Sequence, residues 1–258
     1  MHPGLSRRAL LTLAAAALAT PARRARAAEA LPFDIRVYGH FERMMRDAAF
    51  AGRVRLADAV SAPGVYAVGA LAGLEGEVTA HGGRLFVSYG RRAGARIVPA
   101  PPDAEAALLV TARVERWVEE PIEVDLAAMP DIEAAVAAAA ARRGIDASRP
   151  FPFLVRGTIT GYAWHVLAGP GEPPGGEHGG RGGHGRRGGH AAADRVVRRG
   201  DRMAADLVGF YSGPALEGVI THPGERIHVH LLDPGRTVTG HLDAFGLAAG
   251  AVLSLPAA

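Results

Sequence analysis

The sequence predicts an α+β protein, because strand-like and helix-like patterns occupy separate stretches of the chain. The strand-like stretches are the more numerous. Residues 64–90 and 106–120 are apolar, β-branched runs divided by glycine-rich turns, which is typical of strands. Residues 129–145 are rich in alanine and bounded by helix-capping residues. From residue 150 onward, strand-like segments follow one another to the end of the chain.

The first half of the chain adds a short helix and a hairpin to this pattern. Residues 34–50 begin as a strand, and the apolar residues that follow then recur at helical spacing. Residues 78–87 are predicted to form a hairpin whose turn contains Gly82 and Gly83. In the 129–145 helix, Asp131 can cap the first turn and Gly144 can end the last one.

The first 28 residues have the features of an export signal and are expected to be removed from the mature protein. An Arg7-Arg8 pair precedes the apolar stretch 9–20, and small residues at 25–27 offer a cleavage site. The paired arginines favour a twin-arginine signal over an ordinary secretory one. We therefore expect a periplasmic or secreted bacterial protein with no membrane span.

Composition excludes several classes of function. Five arginines fall in residues 1–28, so the remainder carries 24 basic and 26 acidic residues, a net charge of −2 that does not indicate nucleic-acid binding. The chain has no cysteine, so any metal must be bound by nitrogen and oxygen ligands. The mature part is long enough for two small domains, and we expect them at 29–148 and 149–258.

A glycine-rich insertion is expected at residues 169–192. It contains too little apolar sequence to order itself, which predicts a solvated, disordered segment. Its histidines leave open the alternative of a metal-carrying loop; they are His178, His184 and His190.

Three of the chain's 11 histidines lie within fourteen residues of one predicted hairpin: His228, His230 and His241. Residues two apart in a strand share a face, so His228 and His230 project together. If the hairpin turns tightly at residues 233–236, His228 pairs with His241 and all three imidazoles converge, although a bulge would shift this register. Three neutral imidazoles with an open position are typical of catalytic zinc. His222, six residues before His228, is expected to lie on a surface loop.

Several segments of the chain resemble α-acetolactate decarboxylase. The segment "GLEGEV" resembles that family's L-D-G-E-L signature. The block "LVGFYSGPALEGVITHPGERIHVHLLDPGRTVTGHLDAFGL" resembles its G-Y-H-L-H-F and G-G-H-V-x-D-F segments. The resemblance covers most of the mature chain outside the glycine-rich insertion, and the final block is its most specific part.

The resemblance implies a mixed β-sheet with helices in the N-terminal half and a β-barrel-like C-terminal half that carries zinc, often in a homodimer. The zinc ligands fall on His228, His230 and His241, and the family's catalytic glutamate falls on Glu77. Glu75 takes the aspartate position and is expected on the same strand face as Glu77.

Two positions depart from the family. Its active-site arginine aligns with Leu154, so Arg156, two residues further along the same strand face, is the predicted catalytic cation. The family also has a glutamate in a C-terminal tail, and no glutamate follows His241 in this sequence.

The expected function is zinc-dependent decarboxylation of a 2-hydroxy-3-oxo acid, acetolactate to acetoin and CO₂ or a close relative. Two alternatives remain open from the sequence. One is another three-histidine zinc enzyme, a hydratase or hydrolase. The other is an exported zinc-binding protein without decarboxylase activity.

Overall fold

The computed structural model describes residues 33–170 and 193–257, which belong to one compact unit built from two β-sheets. The expected export signal lies outside the described residues. So does the glycine-rich insertion, apart from Gly169 and Pro170 at the end of a strand.

The first sheet contains seven strands from the N-terminal half. In chain order they are β1 (Phe33–Tyr38), β2 (Val54–Arg55), β3 (Val65–Leu71), β4 (Gly76–His81), β5 (Arg84–Tyr89), β6 (Arg96–Val98) and β7 (Glu105–Val114). Their spatial order is β1-β7-β3-β4-β5-β6, and β2 pairs with β7. Strand β4, which matters most for the site, therefore lies between β3 and β5.

The second sheet contains six strands, four of which close into a ring. Its strands are β8 (Trp117–Pro121), β9 (Phe151–Pro170), β10 (Ala193–Tyr211), β11 (Ile227–Leu232), β12 (Thr239–Leu247) and β13 (Val252–Pro256). Strand β9 pairs with β10 on one edge and with β12 on the other, and β11 joins β10 to β12. Strands β13 and β8 extend the sheet from β9. This sheet begins at β8, ahead of the boundary expected at residue 148.

Five helices are found in the described parts of the chain: α1 (Phe41–Arg46), α2 (Leu56–Val60), α3 (Gly90–Ala93), α4 (Met129–Arg142) and α5 (Gly213–Leu216). In α4, the Asp131 carboxylate accepts a hydrogen bond from the backbone N–H of Ala128, so the predicted cap is present. Gly144 follows with a φ of 73°, as expected after a helix end. Among the described helices, none has the length and hydropathy needed to cross a bilayer.

The α+β class and the barrel-like C-terminal half are confirmed. The expectation of a mixed first sheet is corrected, because every strand pairing within the described residues is antiparallel. The predicted hairpin forms from β4 and β5, with His81 opposite Arg84 and both turn glycines at positive φ.

The predicted register of the histidine hairpin is wrong by two residues. His230, rather than His228, is opposite His241. The turn is longer than expected because the backbone N–H of Asp233 bonds to the Val238 carbonyl (3.3 Å), and the Asp233 side chain also accepts the N–H of Val238 (2.7 Å). A shift of two residues preserves the strand face, so the imidazoles still converge.

Candidate metal centre

Three imidazoles lie together where the two sheets face each other. His228 and His230 project from the same face of β11, and His241 projects from β12 opposite His230. One ligand nitrogen from each ring can be chosen so that all three lie within 4.8 Å of one another. The intervening residues Val229 and Leu231 point the other way, into the main hydrophobic core. The alternation of β11 therefore fixes which side chains reach the site.

Burial keeps these imidazoles neutral. Loss of hydration lowers the pKa of His228 to about 3, and lowers the pKa values of His230 and His241 well below the ordinary value of 6.5. Neighbouring histidines lower all three pKa values further. A neutral imidazole has one ring nitrogen with a free lone pair, which is the form that binds a metal.

The unpaired nitrogens of the cluster fit a metal ion. Nδ1 of His228 and Nε2 of His230 are buried, and neither has a hydrogen-bond partner among the described residues. Buried polar atoms without partners are costly, so each calls for an explanation. A cation with nitrogen ligands would satisfy both atoms at once. The cluster can therefore hold a metal ion through three imidazole nitrogens.

Glu77 lies beside this cluster on β4 of the first sheet. Its side chain is almost completely buried, with one carboxylate oxygen 3.6 Å from Nε2 of His230 and the other 3.8 Å from Nε2 of His165. Burial raises the pKa of Glu77 well above 4.5, the Asp243 carboxylate adds to this, and a hydrogen bond from the Leu167 backbone opposes it. Glu77 is thus a buried carboxyl group that favours its protonated form.

Glu75 does not share the strand face of Glu77. It lies in the bend before β4, in a helical backbone conformation (φ −78°, ψ −8°), and is exposed. The expectation that both glutamates point the same way is therefore wrong. A short 3₁₀ turn at Ala72–Leu74 delays the start of the strand until Gly76.

Arg156 is not brought to the cluster. Its side chain is 66% exposed and lies 3.6 Å from Glu119. It lines a second cavity together with Leu154, the residue at the family's arginine position. Neither residue lines the cavity next to the histidines.

A cavity of about 170 Å³ opens next to the cluster. Its polar lining includes Glu77, His165, His228 and His241, and its apolar wall includes Phe41, Met44, Met45, Leu74, Leu108 and Ile220. The volume is below the ~300–1,000 Å³ of sites for drug-sized ligands, so the cavity suits a small molecule. Helix α1 supplies part of the apolar wall.

Sequence reasoning missed two charged residues at this cavity, Arg195 and Glu225. Arg195, on β10, is the one arginine among the described lining residues. Glu225 also lines the cavity, and burial raises the pKa of its carboxyl group. Arg195 lies three residues after the expected insertion and is far along the chain from the histidine hairpin, so no local pattern identified it. His222, expected on a surface loop, is indeed exposed, and its ring also lies 6.3 Å from that of His241.

A fourth histidine, His165 on β9, was also missed. It pairs with His241 across β9 and β12, and the two ring centroids are 5.0 Å apart. The carboxylate of Asp243 accepts a hydrogen bond from its Nδ1 at 2.8 Å. That bond leaves Nε2 of His165 directed towards Glu77. Asp243 could have been predicted as a site residue, because it lies two residues after His241. His165 is far from the other histidines along the chain, so no spacing pattern pointed to it.

Solved structures share this fold. The structure of alpha-acetolactate decarboxylase from Bacillus subtilis strain 168 matches with a TM-score of 0.67 and 13% identity, over 87% of this chain and 86% of that one. A Staphylococcus aureus protein of unknown function, described as similar to alpha-acetolactate decarboxylase, matches with a TM-score of 0.59 and 14% identity, over 86% and 85%. No family model and no curated protein matches the sequence. The predicted resemblance is confirmed at the level of the fold.

When the protein is loaded with zinc, replacing any one of His228, His230 or His241 by alanine should remove most of the metal, because two imidazoles hold an ion much less tightly than three. Zinc per chain, measured after gel filtration, tests this. His222→Ala is the matched control and should keep its zinc. Retention of zinc by His241→Ala, or an equal loss in His222→Ala, would contradict a shared three-histidine site.

The metal-free protein should lose stability on acidification. The unfolded chain binds protons at the ordinary histidine pKa of 6.5, whereas folded His228 remains neutral until about pH 3. Stability from this group is therefore complete above pH 6.5 and declines as the pH falls towards 3. Urea unfolding at stepped pH values measures this, and His228→Gln should have a shallower decline. If the free energy of unfolding had the same pH dependence in the unaltered protein and in His228→Gln, His228 would not be the group responsible.

Proposed function

We propose that this protein is a zinc-dependent lyase that decarboxylates a small 2-hydroxy-3-oxo acid, acetolactate or a close relative. One observation carries the proposal. A largely buried three-histidine cluster and a buried glutamate with a raised pKa lie at one small cavity, in a chain with the acetolactate decarboxylase fold. Because an export signal is expected, we also propose that the protein is located in the periplasm or outside the cell.

The metal ligands are assigned to His228, His230 and His241. All three are neutral nitrogen donors, a set that suits zinc. Bound zinc would supply Lewis-acid chemistry, which polarises the oxygen atoms of a substrate. The three rings lie on paired strands, so their positions are held by the backbone of the ring-shaped sheet.

Arg195 is assigned to the substrate carboxylate in place of Arg156. It lines the cavity that contains the histidines, and among the described residues no carboxylate forms an ion pair with it. A guanidinium binds a carboxylate through charge-assisted hydrogen bonds. The apolar wall would pack against the alkyl groups of the acid and exclude water around it.

Glu77 is assigned as the proton donor. When the bond to the carboxylate breaks, CO₂ leaves and its electron pair stays on the neighbouring carbon, which must then take up one proton. Burial raises the pKa of Glu77 and so favours the protonated form, which can supply that proton and later recover one from water. His165, 3.8 Å away, is in position to contact the same carboxyl group.

The test is turnover of racemic acetolactate by the zinc-loaded protein, with CO₂ and acetoin measured together. We expect equal amounts of both products. Glu77→Gln should lower kcat by about 10²–10⁴-fold, the usual contribution of a general acid. Glu75→Gln, two residues away but exposed, is the control and should keep its activity. Zinc binding without turnover would reject the lyase and favour a binding protein or another zinc enzyme.

The cation assignment has its own test. Arg195→Met should lower kcat/KM by about 10–150-fold, since a hydrogen bond to a charged group contributes roughly 1.5–3 kcal/mol. Arg198→Ala, an exposed change on the same strand, should have no effect. Steady-state kinetics on acetolactate measure both variants. If Arg156→Ala lost activity and Arg195→Met did not, Arg156 and not Arg195 would be the residue that binds the substrate carboxylate.

A further inference from the structure

Two threonines form a buried hydrogen-bond chain that ends on His230. The hydroxyl of Thr239 donates to the backbone carbonyl of Leu231 (2.7 Å). The hydroxyls of Thr79 and Thr239 are 2.7 Å apart, and the Thr79 hydroxyl oxygen is 3.0 Å from Nδ1 of His230. Thr79 lies on β4, whereas the other three residues lie on the hairpin of the second sheet, so the chain crosses the interface between the sheets.

The directions of these hydrogen bonds follow from counting protons. A carbonyl oxygen only accepts, so the single hydroxyl proton of Thr239 is committed to Leu231. Thr79 must then donate its own proton to Thr239. With that proton used, Thr79 can only accept from His230. Nδ1 of His230 therefore carries the ring proton. An imidazole that binds a metal is neutral, so the free lone pair is then on Nε2.

We infer that Thr79 and Thr239 fix the Nδ1–H tautomer of His230 and thereby leave its Nε2 lone pair free to bind a metal ion. His230 is completely buried, so water cannot take over either role. Nε2 is the atom of this ring that has no hydrogen-bond partner, and it lies on the Glu77 side of the ring. The two threonines act as positioning residues, and neither touches the substrate.

The inference rests on the metal centre of the proposed function and is independent of the decarboxylation. Hydrogen bonds that orient a metal-binding histidine usually change metal affinity by about 10–100-fold. Thr239 allows the more specific test, because its effect on the His230 tautomer must pass through Thr79. If Thr239 loses its hydroxyl, the proton of Thr79 is released and can be donated to Nδ1 of His230, which would favour the opposite tautomer.

The tautomer is measured directly by ¹⁵N NMR of the imidazole nitrogens in the metal-free full-length protein. We expect a protonated Nδ1 and an unprotonated Nε2 for His230. In Thr79→Val and Thr239→Val, the Nε2–H form should appear. Zinc affinity, measured by competition with a chelator, should fall about 10–100-fold in both variants. Thr79→Ser keeps the hydroxyl and should retain both the tautomer and the affinity.

Ser88→Ala is the matched control. Ser88 is buried at the same interface and donates a hydrogen bond to the Thr239 carbonyl (2.8 Å), but it makes no hydrogen bond to His230. An equal loss of zinc affinity in Ser88→Ala would mean that general destabilisation is the cause, and would overturn the inference. So would an Nε2–H tautomer in the unaltered protein, or unchanged affinity in Thr79→Val. If the tautomer and affinities hold but acetolactate is not turned over, only the proposed function fails.

Discussion

The site depends on the burial of polar groups between two sheets. Packing β4 against the β11–β12 hairpin buries His228, His230 and the Glu77 carboxyl group, and leaves His241 only partly exposed. A buried polar atom without a partner costs about 1–3 kcal/mol, and at least two nitrogens of the cluster are in this position. The same burial keeps the rings neutral and raises the pKa of the carboxyl group. The cost in stability and the capacity for metal binding and proton donation thus have one physical cause.

Strand geometry controls which groups enter this interface. Period-two alternation sends His228 and His230 to the site, and sends Val229 and Leu231 to the core. On β12, the pairing with β9 is irregular on both sides of Ala244, and such bulges redirect side chains. Asp243 lies at the first irregularity and reaches His165. Regular pairing therefore builds the cluster, and a local irregularity supplies the residue that orients the fourth histidine.

The features that could be predicted from the sequence are those set by short-range patterns. Alternation placed the three histidines on one face even though the hairpin register was wrong, because an even shift preserves the face. The helix caps and the Gly82-Gly83 turn were likewise local signals. Thr79, His165 and Arg195 meet the cluster only through the packing of distant strands. These residues are far along the chain from the hairpin, so no periodic pattern connected them to it. Alignment with the family's strand led to Arg156, which lines a different cavity.

The fold and the substrate are supported by different kinds of evidence. At 13% identity, likeness to a solved decarboxylase concerns the path of the backbone and the sheet that carries the histidines. The arginine beside the cluster is not at the family's position, since Leu154 lines a different cavity and Arg195 lines the one next to the histidines. A small 2-hydroxy-3-oxo acid is therefore proposed from the residues that line the cavity. The cavity contains a cation, an apolar wall and a buried carboxyl group next to the histidine cluster, and we propose an acid of this class because it could contact all three at once.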